Sequence, residues 1–302
     1  MSSLEKEIEK LKREKNALIF AHYYTPAEVQ ALADEVGDSY YLAQKAVCTD
    51  AKVIVFCGVG FMGESVKLLN EDKTVLMPDM NADCPMAHMA QIEKIQKMRQ
   101  DYEDLAVVCY INSRAALKCA SDVCVTSSNA VKIVRSLPQH NIYFIPDRHL
   151  GQYVAQMVPE KNIILNDGYC PIHASLLAEE VINVKNKHPE AKVLAHPECN
   201  DGVLALADYV GSTQQILEYA HKSEHDAFII CTEVGIDYAL KKQNPDKRFY
   251  YPEKQMCCVD MKYNTAEKIL RVLQTGENEV KVTEKVKEGA LAALRKMLEV
   301  AK

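Results

Sequence analysis

The sequence predicts an α/β protein made of three repeated α/β/α units, each a parallel sheet covered by helices. Apolar runs alternate with helical patterns along all 302 residues, which is typical of parallel sheets with helical crossovers. In addition, Cys84, Cys170 and Cys258 each close a short segment that follows a buried strand, and their separations are 86 and 88 residues. Near-equal spacing of one residue type indicates an internal repeat.

Other landmarks keep the same register. His22, Tyr110 and His196 precede the three cysteines by 62, 60 and 62 residues. A second apolar strand recurs too, and it ends 27, 25 and 27 residues before the cysteines. We therefore predict three units over residues 1–84, 85–170 and 171–262, with C-terminal helices over 263–302 packing on them.

Each predicted helix and strand rests on a local pattern of apolar and capping residues. Leu4, Ile8 and Leu11 recur at helical spacing, so the chain is predicted to begin with an amphipathic helix. The first unit should contain helix 3–15, strand 18–21, helix 27–36 opened by Pro26, helix 40–48 capped by Asp38 or Ser39, strand 53–57, helix 63–69 and strand 74–77.

The second and third units repeat this alternation. The second should contain a helix near 86–100, strand 105–110, helix 113–119, strand 123–125, helix 130–136 capped by segment 126–129, strand 142–145, a helix from about 149 to 156 and strand 162–165. The third should contain helix 175–187, strand 192–195, helix 214–222 capped by segment 211–213, and strands 227–231 and 248–251, before tail helices near 265–274 and 283–300.

Composition narrows the class of protein. Hydrophobic and charged contents of 48% and 26% are ordinary for a globular chain. The net charge of −6, with no basic block, argues against nucleic acid as the main partner. No apolar run approaches the roughly 18 residues that span a bilayer, and the charged N-terminus lacks a signal-peptide core. Eleven cysteines then favour a reducing cytoplasm and metal binding over disulfides.

The polar landmarks fall at the carboxyl ends of predicted parallel strands, where ligands bind in such sheets. If the units meet around a pseudo-threefold axis with these ends inward, the cysteines and strand-end groups line one central cavity. Helices that begin near Ser39, Ser127 and Ser212-Thr213 would point free N–H groups at it, which attract carboxylates and phosphates. The predicted ligand is small and anionic.

Three thiolates from distant positions favour an iron–sulfur cluster over zinc, because structural zinc normally uses close C-x2-C pairs and the sequence has none. Four cysteines usually hold a [4Fe–4S] cluster, so three would leave one iron open. Such an iron can act as a Lewis acid that promotes loss of water. The alternative is that all three cysteines are buried and unreactive.

Other candidate site residues have structural alternatives as well. Those at strand ends are His22, Tyr24, Tyr110, Asn112, His196 and Glu198. His22 and His196 could be core residues with satisfied hydrogen bonds, and Tyr110 could simply pack with its hydroxyl exposed. Ser39, Ser127 and Thr213 could be plain helix caps. His173, three residues after Cys170, could belong to the pocket or support the cysteine.

The sequence resembles the quinolinate synthase family from about residue 15 to the C-terminus. The matching motifs are Ala21-His-Tyr-Tyr-Thr25, Gly37-Asp-Ser39, Phe61-Met-Gly-Glu64, Tyr110-Ile-Asn112, Thr126-Ser-Ser-Asn-Ala130, His196-Pro-Glu-Cys199, Gly211-Ser-Thr213 and Cys258-Val-Asp-Met-Lys262. The resemblance implies three stacked α/β/α domains around a pseudo-threefold axis and an oxygen-sensitive [4Fe–4S] cluster. It also implies the condensation of iminoaspartate with dihydroxyacetone phosphate to quinolinate, phosphate and two waters, in NAD biosynthesis.

The matching motifs also imply roles for individual residues of this sequence. The implied cluster ligands are Cys84, Cys170 and Cys258, with the adjacent Cys257 as the alternative third ligand. The implied substrate-binding residues are His22, Ser39, Tyr110, Asn112, Ser127, His173, His196, Glu198, Ser212 and Thr213. For catalysis we expect Glu198 to be the base, tuned by His196, while Tyr24, Tyr110 and His22 pass protons. A transient contact with the enzyme that produces iminoaspartate is also expected.

Two other readings of the three cysteines stay open. Other three-cysteine, three-domain iron–sulfur enzymes exist, such as the reductase that makes isoprenoid precursors and the diphthamide-synthesis proteins. A reductase needs a docking surface for an electron donor, and it would not explain His196-Pro-Glu198 together with Gly211-Ser-Thr213. A non-enzymatic redox sensor would not need convergent His, Tyr and Glu side chains.

Overall fold

Three successive parts of the chain fold into four-stranded parallel sheets of identical topology. The computed structural model describes residues 2–254 and 256–301. In every sheet the strand order is second, first, third, fourth along the chain, and all pairings are parallel. The predicted α/β fold with three repeated three-layer units is therefore confirmed.

The elements of the three units correspond closely. The first unit contains α1 (Ser3–Lys15), β1 (Ala17–His22), α2 (Ala27–Leu32), β2 (Glu35–Gly37), α3 (Ser39–Cys48), β3 (Val53–Cys57), α4 (Gly60–Leu69), β4 (Thr74–Leu76) and a 3-10 turn (Pro85–His88). The second contains α5 (Ile92–Asp101), β5 (Leu105–Tyr110), α6 (Ala115–Cys119), β6 (Val123–Val125), α7 (Ala130–Ser136), β7 (Asn141–Ile145), α8 (Arg148–Met157), β8 (Asn162–Leu165) and α9 (Pro171–Ala174).

The third unit and the tail complete the chain. They contain α10 (Ala178–Lys187), β9 (Lys192–Ala195), α11 (Asp201–Leu204), β10 (Tyr209–Val210), α12 (Thr213–Lys222), β11 (Ala227–Cys231), α13 (Ile236–Gln243), β12 (Arg248–Tyr250), α14 (Val259–Lys262), α15 (Ala266–Thr275) and α16 (Glu284–Val300). No helix among the described residues has both the length and the apolar character needed to cross a membrane.

Strand register assigns equivalent positions across the units. His22 pairs with Gly37 at the end of β1 and β2, and Tyr110 pairs with Val125 at the end of β5 and β6. In the third unit the last pair is Val210 with Ala195, directly before His196. Three sets of side chains are thus equivalent: His22, Tyr110 and His196; Tyr24, Asn112 and Glu198; Ser39, Ser127 and Thr213.

A repeated carboxylate fixes the opposite end of each edge strand. Asp34, Asp122 and Asp208 come immediately before β2, β6 and β10. Each accepts a hydrogen bond from a backbone N–H of the neighbouring strand, at 2.8, 2.7 and 2.8 Å. Each also pairs with a basic side chain, at 2.8, 3.0 and 2.8 Å. These bonds set the register that carries the polar residues to the other end of the sheets.

Apolar residues cover both faces of the sheets, as parallel sheets require. The C-terminal helices contribute to this covering. Ile269, Val272 and Leu273 of α15 pack with α1 and the first sheet, whereas α16 buries Ala290 and Leu294 in the core shared by the first and second units. The domain boundaries after residues 84, 170 and 262 stay a prediction.

Some predicted elements were wrong in extent. The helix expected over 27–36 ends at Leu32, and residues 35–37 instead form edge strand β2. The helix expected near 86–100 is divided into the 3-10 turn and α5, because Met89 and Ala90 lie between them outside any helix. The helix expected over 175–187 begins at Ala178. Elements α9, β10, α11, α13 and α14 were not predicted.

Candidate active site

The carboxyl ends of the three sheets surround one cavity. Nearly every predicted site residue lines it. These are His22, Tyr24, Ser39, Cys84, Tyr110, Asn112, Ser127, Cys170, His173, His196, Glu198, Thr213 and Cys258. The three units therefore bring residues more than 230 positions apart in sequence to one place.

Each cysteine begins a helical turn in the same way. Cys84, Cys170 and Cys258 are the N-cap residues of the 3-10 turn, α9 and α14, with ψ angles of 116°, 115° and 105°. Burial raises the pKa of all three thiols, that of Cys258 to about 11. The backbone N–H three residues later opposes this rise in every case, because it favours the thiolate.

The two strand-end histidines are held neutral. The Nδ1 atom of His22 accepts the backbone N–H of Tyr24 at 3.1 Å, and Nδ1 of His196 accepts that of Glu198 at 3.3 Å. A nitrogen that accepts a hydrogen bond carries no proton, so the proton of each neutral ring lies on Nε2. Burial is the main cause that lowers the pKa of each to about 3.

Glu198 is the central charge of the cavity. Its side chain is 3% exposed, and Oε2 lies 2.8 Å from Nδ1 of His173. Burial acts to raise the pKa of Glu198, but His173, His196 and Tyr110 outweigh it and lower the pKa to about 2. The carboxylate is therefore ionised at neutral pH. Its charge in turn contributes to raising the pKa of Tyr24 and Tyr110, after burial as the largest cause.

Tyr24 is anchored by two threonines. Its hydroxyl lies 2.7 Å from Oγ1 of Thr213 and 2.7 Å from Oγ1 of Thr232. Thr232 also lies 2.9 Å from Nε2 of His173, and Nδ1 of that ring is 3.2 Å from Sγ of Cys170. A continuous set of polar contacts thus connects a cysteine of the second unit with a tyrosine of the first.

The helix starts differ from one another in how they are capped. Asp38, not Ser39, caps α3 by accepting the N–H of Tyr41, and Ser212 caps α12 by accepting that of Gln215. Asn129 occupies the N-cap position of α7 but accepts the N–H of Thr126 instead. Ser39 is left free to face the cavity.

Two predicted residues are not placed on the cavity wall. Ser212 is fully buried behind it and donates a hydrogen bond to Asp38 at 3.3 Å. Its equivalents by register are Asp38 and Thr126, so Thr213 rather than Ser212 corresponds to Ser39. Cys257 is not among the residues that line the cavity, whereas Cys258 is.

Several polar residues of the cavity were not predicted. Asp38, Thr126 and Glu233 also line it, and Asp147 is fully buried behind Cys170. Glu233 stands two residues after the end of β11. Tyr24 likewise stands two residues after the end of β1, and Glu198 stands three residues after the end of β9. The same strand-end reasoning applied to the third strand of each unit would have found it.

The donor set suits a metal cluster. Cys170, His173 and Glu198 place one ligand atom each within 4.8 Å of one another. Cys84, Cys170 and Cys258 all line the same cavity, so the three thiols border a common space. Oε1 of Glu198 and Oδ1 of Asn112 are buried without a hydrogen-bond partner among the described residues. Buried polar atoms without partners are rare unless a ligand satisfies them.

The chain matches known proteins of one family over nearly its whole length. The family model described as quinolinate synthetase A protein matches residues 6–299. The chain is 50% identical over 301 residues to quinolinate synthase of Caldicellulosiruptor saccharolyticus, covering 100% of this chain and 99% of the relative. It is 51% identical over 294 residues to quinolinate synthase of Fusobacterium nucleatum subsp. nucleatum, covering 97% and 98%. Quinolinate synthase 2 of Methanosarcina acetivorans is 47% identical over 295 residues, with 98% and 95% covered.

Proposed function

We propose that this chain, which belongs to the quinolinate synthetase A family, condenses iminoaspartate with dihydroxyacetone phosphate to quinolinate, phosphate and two waters. The reaction would serve NAD biosynthesis and would class the enzyme as a transferase. One observation carries the proposal: three equivalent cysteines, one from each unit, face a cavity that also holds a buried carboxylate and two neutral histidines.

Cys84, Cys170 and Cys258 would hold a [4Fe–4S] cluster. When bound by three cysteines, such a cluster supplies one iron without a protein thiolate, a Lewis acid for a substrate hydroxyl or carboxylate. The identical N-cap position of the cysteines supports this assignment, since each thiol meets backbone N–H groups that favour the thiolate.

Hydroxyls near helix starts would bind the anionic groups of the two substrates. Ser39 and Thr213 are the first residues of α3 and α12, where free N–H groups and the helix dipole favour negative charge. Ser127 is equivalent to both and completes the set around the cavity. Asn112 supplies an unpaired carbonyl oxygen that can accept a hydrogen bond from the imine nitrogen of iminoaspartate.

The proton chemistry would be shared between groups of fixed protonation. The neutral imidazoles of His22 and His196 carry their proton on Nε2 and can donate it in hydrogen bonds to substrate oxygens, which would support negative charge that develops there. Tyr24 stays a phenol, because burial and then Glu198 raise its pKa, and it can donate a proton to an oxygen. Glu198 is the expected base, and a substrate that brings further carboxylates into the cavity would raise its pKa toward a working range.

The setting and partners follow from this chemistry. Cluster ligands are cysteine thiolates rather than disulfides, so a reducing cytoplasm is the setting that the proposal favours. The expected ligands are small anions rather than nucleic acid or membrane. Because iminoaspartate contains a hydrolysable imine, a transient contact with the enzyme that makes it is part of the proposal.

Anaerobic purification followed by assay tests the proposal. The protein should be brown, contain about four irons per chain as one cluster requires, and form quinolinate from the two substrates. Cys84→Ser and Cys170→Ser should lose iron and activity, whereas Cys48→Ser, which changes an exposed cysteine, should keep both. A full cluster in either of the first two variants would overturn the ligand assignment. A cluster-containing protein that forms no quinolinate would favour a reductase or a redox sensor.

A further inference from the structure

Two buried carboxylates occupy the same position in the second and third units. Asp147 and Glu233 each stand two residues after the third strand of their unit, β7 and β11. Asp147 is fully buried and Glu233 is 1% exposed. Neither has a role in the proposed reaction. Burial of a carboxylate costs free energy unless the group is paired or hydrogen-bonded.

Asp147 holds the backbone at Cys170. Its Oδ2 atom accepts the N–H of Cys170 at 3.1 Å, while Oδ1 accepts the N–H of Leu150 at 2.8 Å and so caps α8. One carboxylate therefore joins the start of α8 to the start of α9. Because Cys170 is the N-cap of α9, this bond helps to fix the direction in which its sulfur leaves the backbone.

Glu233 does the same for Cys258. Its Oε1 atom accepts the N–H of Cys258 at 2.9 Å and pairs with Nζ of Lys262 at 2.9 Å. The other oxygen accepts the N–H of Gly235 at 2.6 Å. Lys262 also donates to the backbone carbonyl of Tyr24 at 2.5 Å, so the Cys258 turn is tied to the first unit as well.

In the first unit the carboxylate that accepts the cysteine N–H comes from a different position. Val59 stands at the position equivalent to Asp147 and Glu233, and its side chain cannot accept a hydrogen bond. The N–H of Cys84 instead bonds to Oδ1 of the preceding residue, Asp83, at 2.9 Å. Every one of the three cysteines thus gives its backbone N–H to a carboxylate, although only two of these acids come from the repeat.

We propose that Asp147 and Glu233 are positioning residues that orient Cys170 and Cys258 toward the cluster. The inference rests on the proposed function, since it presumes that these cysteines bind iron. A bond at the backbone of a ligand acts as an outer-shell interaction, and loss of such a partner typically weakens metal binding about 10- to 100-fold. Loss of the carboxylate would also leave the partly buried N–H group of Cys170 or Cys258 without its acceptor.

The test measures how firmly the full-length protein, loaded with cluster anaerobically, retains its iron. The variants are Asp147→Ala and Glu233→Ala, with Asp147→Asn and Glu233→Gln as conservative partners. Asp208→Ala is the matched control, because Asp208 also accepts a backbone N–H, that of Val193, and pairs with a lysine, but at the other end of a strand. The readouts are the rate of iron release to a chelator, the electron paramagnetic resonance spectrum of the reduced cluster, and the melting temperature of the apoprotein.

We expect both alanine variants to release iron about 10- to 100-fold faster than the wild type, with an altered resonance spectrum. The amide variants keep one acceptor oxygen but place an NH2 group against a former donor, so they should lie between the alanine variants and the wild type. If an alanine variant fails to fold, its amide partner gives the comparison. Asp208→Ala should lower the melting temperature without changing iron release or the spectrum.

Two outcomes would contradict these expectations separately. Variants that release iron at the wild-type rate, or no faster than Asp208→Ala, would refute the positioning role while leaving the cluster in place. A wild-type protein that binds no cluster under the same conditions would refute the proposed function itself.

Discussion

The neutral state of His22 predicts a measurable dependence of stability on pH. His22 is 5% exposed, and its Nδ1 accepts the N–H of Tyr24. Burial, followed by repulsion from a protonated His196 and from Lys262, lowers its pKa from 6.5 to about 3. The unfolded chain binds a proton at this residue below about pH 6.5, whereas the folded chain does not until about pH 3. The stabilisation is therefore fully present above pH 6.5 and is lost as the pH falls.

The size of the effect follows from the two pKa values. Between pH 7 and pH 5 the unfolded state gains about 0.7 proton at His22, because its pKa there is 6.5, and the folded state gains almost none. Linkage then lowers the free energy of unfolding by about 2 kcal/mol over this interval. In His22→Asn the amide oxygen can still accept the N–H of Tyr24, but the group does not titrate. The variant should lose about 2 kcal/mol less than the wild type.

Urea unfolding of the anaerobic apoprotein at the two pH values measures this difference. His225→Asn is the control, because His225 is exposed, and its curve should stay parallel to that of the wild type. Parallel curves for His22→Asn and the wild type would refute the argument. They would mean that His22 gains a proton in the folded state as easily as in the unfolded chain, and that it is not the neutral group required in the proposed proton chemistry.

Further predictions concern the cluster and the turnover. Cys258→Ser should abolish the visible absorbance of the cluster while Cys257→Ser keeps it, since only Cys258 lines the cavity; the reverse pattern would make Cys257 the ligand. Glu198→Gln should keep its cluster and turn over at least ~100-fold more slowly, as loss of an acid–base group typically causes; near-normal turnover at saturating substrate would show that another group is the base. Ser127→Ala and Thr213→Ala should raise KM more than they lower kcat, measured by initial rates, and an unchanged KM would exclude them from substrate binding.

Sequence reasoning found the site largely because its residues end strands. His22, Tyr110 and His196 stand at the carboxyl ends of well-marked apolar runs, and parallel strands bring such ends together. The edge strands β2 and β10 are only three and two residues long, too short to show a pattern. Their equivalent β6, with the sequence Val-Cys-Val, is short too but wholly apolar, which explains why it alone was predicted.

Partners far apart in sequence could not be predicted in the same way. The contacts of Tyr24 with Thr213 and Thr232 join residues 189 and 208 positions apart, and no local signal marks them. Glu233 is a different case. It follows a strand that was predicted correctly, and only its distance of two residues from the strand end would have marked it as a site residue.

The repeat explains how one fold can present both three equivalent cysteines and three chemically different side chains to the same cavity. Where the units agree, they place three cysteines in extended backbone with ψ angles between 105° and 116°, which suits the three equivalent ligands of the proposed cluster. Where they differ, the same backbone position carries chemically distinct groups. Tyr24, Asn112 and Glu198 are equivalent in register, yet they provide a phenol, an amide and a carboxylate that all face one cavity. The proposed condensation, which loses water and phosphate, would need a proton donor, a hydrogen-bonding group and a base at different atoms of its substrates. Divergence at these strand-end positions supplies all three without disturbing the cysteines, because the two sets of residues lie on separate segments of each unit.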